Sequence, residues 1–112
     1  MIRKDSKQGV GYSVIDFDGV PHIFAAAVPC NGGSLEEQTH DALRTIDRLT
    51  HEHGMGGSIV AQSVFIRDIG QIEACRKIMK EFYGRELPAT TYIPQAPCLG
   101  KLVEIEAQGV AK

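Results

Sequence analysis

Glu104 and Glu106 stand two residues apart in Leu-Val-Glu-Ile-Glu-Ala, toward the end of the chain. Side chains two apart on a strand share one face, so both carboxylates project to the same side as Leu102. Inside a cleft the Glu104 carboxylate loses hydration, titrates higher and can hold or move a proton. In open water it is only a solvated strand residue. Tyr12 and Tyr92 each offer a phenolic hydroxyl on a strand-like pattern. Cys98 lies in Pro94-Gln95-Ala96-Pro97-Cys98-Leu99-Gly100. An accessible thiol there is a nucleophile if a base or cation activates it, with Lys101 and Tyr92 the nearest in sequence. Cys30 falls in a second loop and Cys75 on an apolar helix stripe, which points to packing. Three cysteines cannot all pair within one chain, so free thiols are expected. His51 and His53, two apart on a helix, project about 200° apart and cannot share an ion. His22 and His40 add no chelating spacing, and no Cys-x-x-Cys occurs, so neither metal nor cofactor is expected.

These groups need a scaffold. Val10–Phe17 is short and rich in β-branched residues and ends at Asp18-Gly19, a hairpin signal. Val20–Val28 resumes as a second strand, with Pro21 tolerated near its start. Its Phe24-Ala25-Ala26-Ala27 centre implies close approach by another backbone or by a partner subunit. Ser34-Leu35-Glu36-Glu37 has capping-box spacing, and Leu35, Ala42, Leu43, Ile46 and Leu49 follow at helical intervals up to Gly54. Ser58–Ile66 reads as a central third strand. Asp68-Ile69-Gly70-Gln71 starts a second helix, with Ile69, Ile72, Cys75, Met79 and Phe82 on one side and Gly84 closing it. Ala89–Ile93 and Lys101–Val110 are the fourth and fifth strands. The order is β-β-α-β-α-β-β. Crossovers of one hand place both helices on the same face of one mixed sheet. The other face stays uncovered, and a partner subunit is the expected cover.

The 112 residues suit a single domain over 1–112, with residues 1–8 as a flexible lead-in. A formal net charge of −2 and an aromatic share of 6% argue against nucleic acid as a partner. No apolar run reaches the roughly 18 residues a membrane span needs, and Met1–Lys7 carries charge without an apolar stretch behind it. A cytoplasmic location with a small-molecule ligand and no membrane is the expectation.

Gly11-Tyr12-Ser13, Glu37-Gln38-Thr39 with Ala42-Leu43 and Ile46, Val64-Phe65-Ile66-Arg67-Asp68, Phe82-Tyr83, Leu87-Pro88-Ala89 and Val103-Glu104-Ile105-Glu106-Ala107 occur in a telling order and spacing. In these segments, from about Gly11 to Val110, the chain resembles the RidA/YjgF family, also labelled L-PSP endoribonuclease or translation initiation inhibitor. The resemblance implies a chorismate-mutase-like α+β fold and a homotrimer whose sheets form a central barrel with ligand clefts between subunits. Deaminating members hydrolyse 2-imino or enamino acids to 2-keto acids and ammonia. In them an Arg after Phe-Pro-Ala clamps the substrate carboxylate, the first Glu of the Glu-Ile-Glu strand positions water or moves a proton, and the N-terminal Tyr lines the pocket.

This chain keeps Tyr12 and Glu104, but Thr90 stands at the clamp position. Arg76 stands where many deaminating members carry Asn, and Ala25-Ala26-Ala27 replaces Ser-Gly-Gln. A charge-assisted pair is worth about 1.5–3 kcal/mol, so its loss weakens 2-imino acid binding by one to two orders of magnitude. The candidate catalytic residues are thus Glu104, Tyr12 and Cys98. The candidate substrate-binding residues are Thr90, Thr91, Tyr92 and Arg76, the last as a replacement for the clamp from another wall. The leading expectation is hydrolase or deaminase chemistry on a small imine- or enamine-like metabolite between subunits. The alternatives are a non-catalytic ligand-binding or regulatory trimer and, as the family label implies, an endoribonuclease or translation inhibitor.

Overall fold

The structure is a computed structural model that describes residues 10–97 and 100–111 in full and the backbone of residues 2–7. Its elements run β1 (Ile2–Lys7), β2 (Val10–Phe17), β3 (Val20–Ala27), α1 (Leu35–Glu52), β4 (Ile59–Ile66), α2 (Ile72–Tyr83), β5 (Ala89–Ile93) and β6 (Val103–Val110). Asp18 and Gly19 take φ of 51° and 82°, the left-handed pair that a tight β2–β3 turn requires. Ser34 caps α1: its hydroxyl accepts from the Glu37 amide at 3.1 Å, and its own amide donates to Glu37 Oε1 at 3.1 Å. The Ser34 amide and then its hydroxyl hold the Glu37 carboxyl below its ordinary range. The second helix begins later than its pattern suggests. Asp68 caps a 3-10 turn over Ile69–Gln71, and the regular helix starts at Ile72.

The β-β-α-β-α-β-β order is present, with one strand added. Where the sequence suggests a flexible lead-in over residues 1–8, Ile2–Lys7 runs as β1, antiparallel to β2, with Ile2 opposite Ile15 and Lys7 opposite Val10. Without it β2 would be an edge with a row of unpaired amides, which even a polar strand can satisfy through its backbone. The six strands lie in the order β1-β2-β3-β6-β4-β5. Among the described residues only β4 and β5 pair in parallel; β6 returns antiparallel between β3 and β4. The α1 and α2 crossovers therefore land on one side of the sheet. No helix among the described residues is long and apolar enough to cross a membrane.

The core lies between that side and the helices. Leu43 and Ile46 of α1, with Cys75 and Met79 of α2, pack on Ile23, Val64, Val103 and Ile105, all essentially inaccessible to solvent. Burial pushes the Cys75 thiol above its ordinary pKa, with the Thr39 hydroxyl partly opposing it. Two buried glutamines tie this layer together. Buried Gln62 donates to Thr90 Oγ1 at 3.0 Å, rests its amide nitrogen 3.3 Å from Met79 Sδ, and accepts from the Tyr83 hydroxyl at 3.2 Å. The Thr90 hydroxyl in turn donates to the Pro88 carbonyl at 2.9 Å. This chain of bonds locks α2 to β4 and β5. Gln38 does the same for α1, donating to the Gly33 carbonyl at 3.0 Å and accepting the Leu102 amide at 2.8 Å.

Two consequences can be measured. A Cβ at Gly109 would meet Ser58 Oγ at 2.7 Å and Ile23 Cγ2 at 2.8 Å, so Gly109→Ala should cost about 1–3 kcal/mol in urea unfolding. Ser58 Oγ is buried and has no hydrogen-bond partner among the described residues. Ser58→Ala should accordingly be neutral or stabilising, and should recover part of the Gly109→Ala loss. The second concerns Tyr83, whose phenol is pushed well above its ordinary pKa by burial and then by the Asp47 carboxylate. The folded state keeps that proton at a pH where the unfolded chain loses it, so stability falls as pH rises past about 10. Unfolding measured between about pH 8 and pH 11 should show this decline, and Tyr83→Phe should flatten it. Tyr92 and Cys75, both raised by burial as well, leave a residual slope behind.

Candidate functional site

The sheet face turned away from the helices has no covering element among the described residues. The register places one row of small side chains across it: Gly11 opposite Ala26, Ala26 opposite Glu106, Glu106 opposite Ser63, and Ser63 opposite Thr91. On one side of this row stands Phe24, opposite Gln108; on the other stand Glu104 and Ile93, both opposite Phe65. Glu106 thus rises from a trough floored by residues too small to fill it. Two shallow cavities of about 310 and 300 Å³ occupy the trough and meet at Phe24 and Glu106. Glu104 lies on the same face one pleat along, with its Cα about 7 Å from that of Glu106.

The candidate residues divide between the two faces. Glu104 and Thr91 lie on the open face with Glu106. Thr90 faces the helices, and its hydroxyl is committed to Gln62 and Pro88. Tyr92 is half-buried on the helix side, with the Arg76 guanidinium 5.5 Å from its ring centroid. Burial, the largest of the influences on it, raises the Tyr92 phenol pKa. Arg76 donates to Glu73 Oε1 at 2.6 Å, so within one copy it does not reach the Glu106 trough to replace the clamp. Tyr12 pairs with buried Ala25 and sets its ring 5.1 Å from that of His53, tilted by 58°. Strands β3, β6 and β4 separate β2 from β5, which puts Tyr12 and Tyr92 about 19 Å apart at ordinary strand spacing. Cys98 lies outside the described residues.

Glu106, Ser63, Phe24 and Gln108 join the site through the fold. Part of the signal is in the sequence: Glu106 shares a face with Glu104, and Ala25-Ala26-Ala27 marks a place without bulk. Which strands flank β6 is not legible there, because β6 inserts between β3 and β4 from the far end of the chain. The trough can do definite chemistry. It offers the Glu106 carboxylate, the hydroxyls of Ser63 and Thr91, the Gln108 amide and the Phe24 ring, and among the described residues neither Lys nor Arg lines the two cavities. Such a surface favours a neutral hydrogen-bonding ligand or a cation over an anion. Among the described residues no three His, Cys, Asp or Glu side chains converge to hold a metal ion.

The sequence profile of the endoribonuclease L-PSP family matches residues 24–111. Among solved structures, a YjgF-family protein from Neisseria meningitidis is 27% identical, with a TM-score of 0.74 over 81% of this chain and 80% of that one. A YjgF-group protein from Mycobacterium tuberculosis is 25% identical, with a TM-score of 0.74 over 88% and 82% of the two chains. YyfA, a Rid-family protein of unknown function from Yersinia pestis, is 27% identical, with a TM-score of 0.72 over 86% and 83%. No curated protein sequence matches the chain. The profile spans most of the chain, from β3 through both helices to the end of β6, and on that match the chain belongs to the endoribonuclease L-PSP (YjgF/Rid) family.

Proposed function

We propose that the protein hydrolyses a small imine or enamine that lacks a carboxylate, on the Glu104/Glu106 face, once further copies of the chain roof that face in a homotrimer. The observation that carries this reading is the trough itself: the Glu106 carboxylate on a floor of small side chains, with Glu104 one pleat along on the same face and neither Lys nor Arg lining the two cavities among the described residues. A protonated imine carries its positive charge on the C=N group and is drawn to such a surface. Glu106 would hold its nitrogen. Glu104 would take a proton from the attacking water as the oxygen bonds to carbon and the C=N pair moves onto nitrogen. Returning that proton to nitrogen lets the C–N bond break. The net change turns one iminium ion and one water into one carbonyl compound and one ammonium ion. A neighbouring copy over the trough would exclude bulk water and strengthen each of these interactions.

Thr90 supports the restriction to carboxylate-free substrates. It stands at the family's clamp position without a positive charge, and its hydroxyl is held by Gln62 and Pro88. A non-catalytic ligand-binding trimer is the second reading, favoured by the commitment of Thr90 and Arg76 to partners in the helix layer. RNA cleavage fits the trough less well, since a phosphate backbone is gripped by Lys and Arg.

The test generates imines in situ, from a primary amine with an amine oxidase and from an amino acid with an amino-acid oxidase, and follows carbonyl release. The protein should accelerate the first and leave the second close to its uncatalysed rate. Glu104→Gln should lower the accelerated rate about a hundredfold or more, whereas Glu106→Gln should act chiefly through KM. Faster hydrolysis of the carboxylated imine, or unchanged rates in both variants, would contradict the proposal. Light scattering should return a molar mass of three chains of 12.2 kDa; a monomer would remove the roof the mechanism needs.

A further inference from the structure

A second cavity lies on the opposite side of the sheet, between the C-terminal ends of the two helices. It measures about 340 Å³, within the range of roughly 300–1,000 Å³ typical of small-molecule sites. Ile46 and Ile59 give it an apolar wall, and Phe82 and Tyr83 an aromatic one. Those two rings stand edge to face, with centroids 5.0 Å apart at 82°. The bond from the Tyr83 hydroxyl to Gln62 fixes the second ring from behind.

Two carboxylates line it: Asp47 projects from α1 and Glu86 from the turn after α2, and among the described residues neither Lys nor Arg contributes. Both helices also end here, α1 at Glu52 and α2 at Tyr83, so each adds the negative end of its dipole. His51 borders the cavity but is tied back to its own helix, with Nδ1 2.8 Å from the Asp47 carbonyl and 3.4 Å from Asp47 Oδ1. The backbone at Gly56 comes close behind that ring: a Cβ there would meet His51 Nε2 at 2.7 Å, so glycine leaves the imidazole the room it occupies. An apolar wall, a fixed aromatic pair and two carboxylates at converging helix C-termini form the surroundings that a cation on a hydrocarbon stem prefers.

We propose that this cavity binds a small organic ammonium ion, a protonated amine on an apolar stem, with its charge held by Asp47 and Glu86 and its stem against Ile46, Ile59 and Phe82. The proposal is independent of the hydrolytic reading, because the Glu106 trough opens on the other face of the sheet.

Benzylammonium, benzyl alcohol and benzoate share one ring and differ in charge. Each is titrated into the full chain while backbone amide resonances are followed by NMR. Benzylammonium should produce saturable shifts centred on Asp47, Thr50 and Tyr83, and should bind about tenfold more tightly than benzyl alcohol, while benzoate should not bind. Asp47→Asn and Glu86→Gln, both changes of surface charge that leave the core intact, should each weaken benzylammonium about tenfold and leave benzyl alcohol unchanged. Glu104→Gln should have no effect, which separates this site from the hydrolytic one. Equal binding of alcohol and ammonium, shifts centred on the Glu106 face, or no saturation by about 10 mM would overturn the proposal.

Discussion

Crossover handedness governs this molecule. A right-twisted strand feeding a right-handed helix packs back onto the sheet in one sense only, and the chain makes two such crossovers, β3-α1-β4 and β4-α2-β5, in the same direction. Both helices must then cover one face. Strand side chains alternate with period two, so every strand is sorted at once into a buried row and an uncovered row. Val103, Ile105 and Ala107 go under the helices, and Glu104, Glu106 and Gln108 go to the open side. The polar network through Gln62 lies within the covered layer and fixes how α2 sits on β4 and β5. The trough around Glu106 is the other consequence of the same sorting.

The two faces carry different chemistry for one physical reason. On the open face the strands supply small residues around Glu106, with Glu104 one pleat along, and among the described residues neither Lys nor Arg lines the cavities there. On the covered face the helix ends supply the carbonyl dipoles and, with the following turn, Asp47 and Glu86 beside a fixed aromatic pair. Both places are negative, and neither has the character of an anion site. Thr90 belongs to the covered layer, where its hydroxyl is an internal partner for Gln62; under the proposed function its lack of positive charge is what restricts the substrate to molecules without a carboxylate.

Much of the fold was legible because its signals are local. The Asp18-Gly19 turn, the Ser34–Glu37 capping box, the helical stripes and the Gly84 stop each depend on a few neighbouring residues, and each appears in the structure. The start of α2 was less clear, since Asp68 caps a 3-10 turn as readily as a helix. Strand β1 was hidden because its residues are mostly polar, and its pairing is a matter of backbone bonds rather than side-chain pattern. The site was legible in part for the opposite reason. Glu104 and its alternation with Glu106 can be read within one strand, but the partners Ser63 and Ala26 come from strands far away in sequence. The resemblance groups Tyr12 and Thr90 with Glu104, and Tyr92 stands near them as a strand hydroxyl, whereas the period-two pleat sends all three to the helix side of the sheet within one copy. Arg76, on α2, lies on that same side and is engaged by Glu73 and Tyr92.

If the open face around Glu106 is the working face of the protein, closed by other copies of the chain, a crystal structure of its solution assembly will show it. Glu104 and Glu106 should line an inter-subunit cleft, with the row from Gly11 to Thr91 as its floor and a neighbouring copy as its roof. An assembly that joins through the helices and leaves the Glu106 trough open to solvent would contradict it.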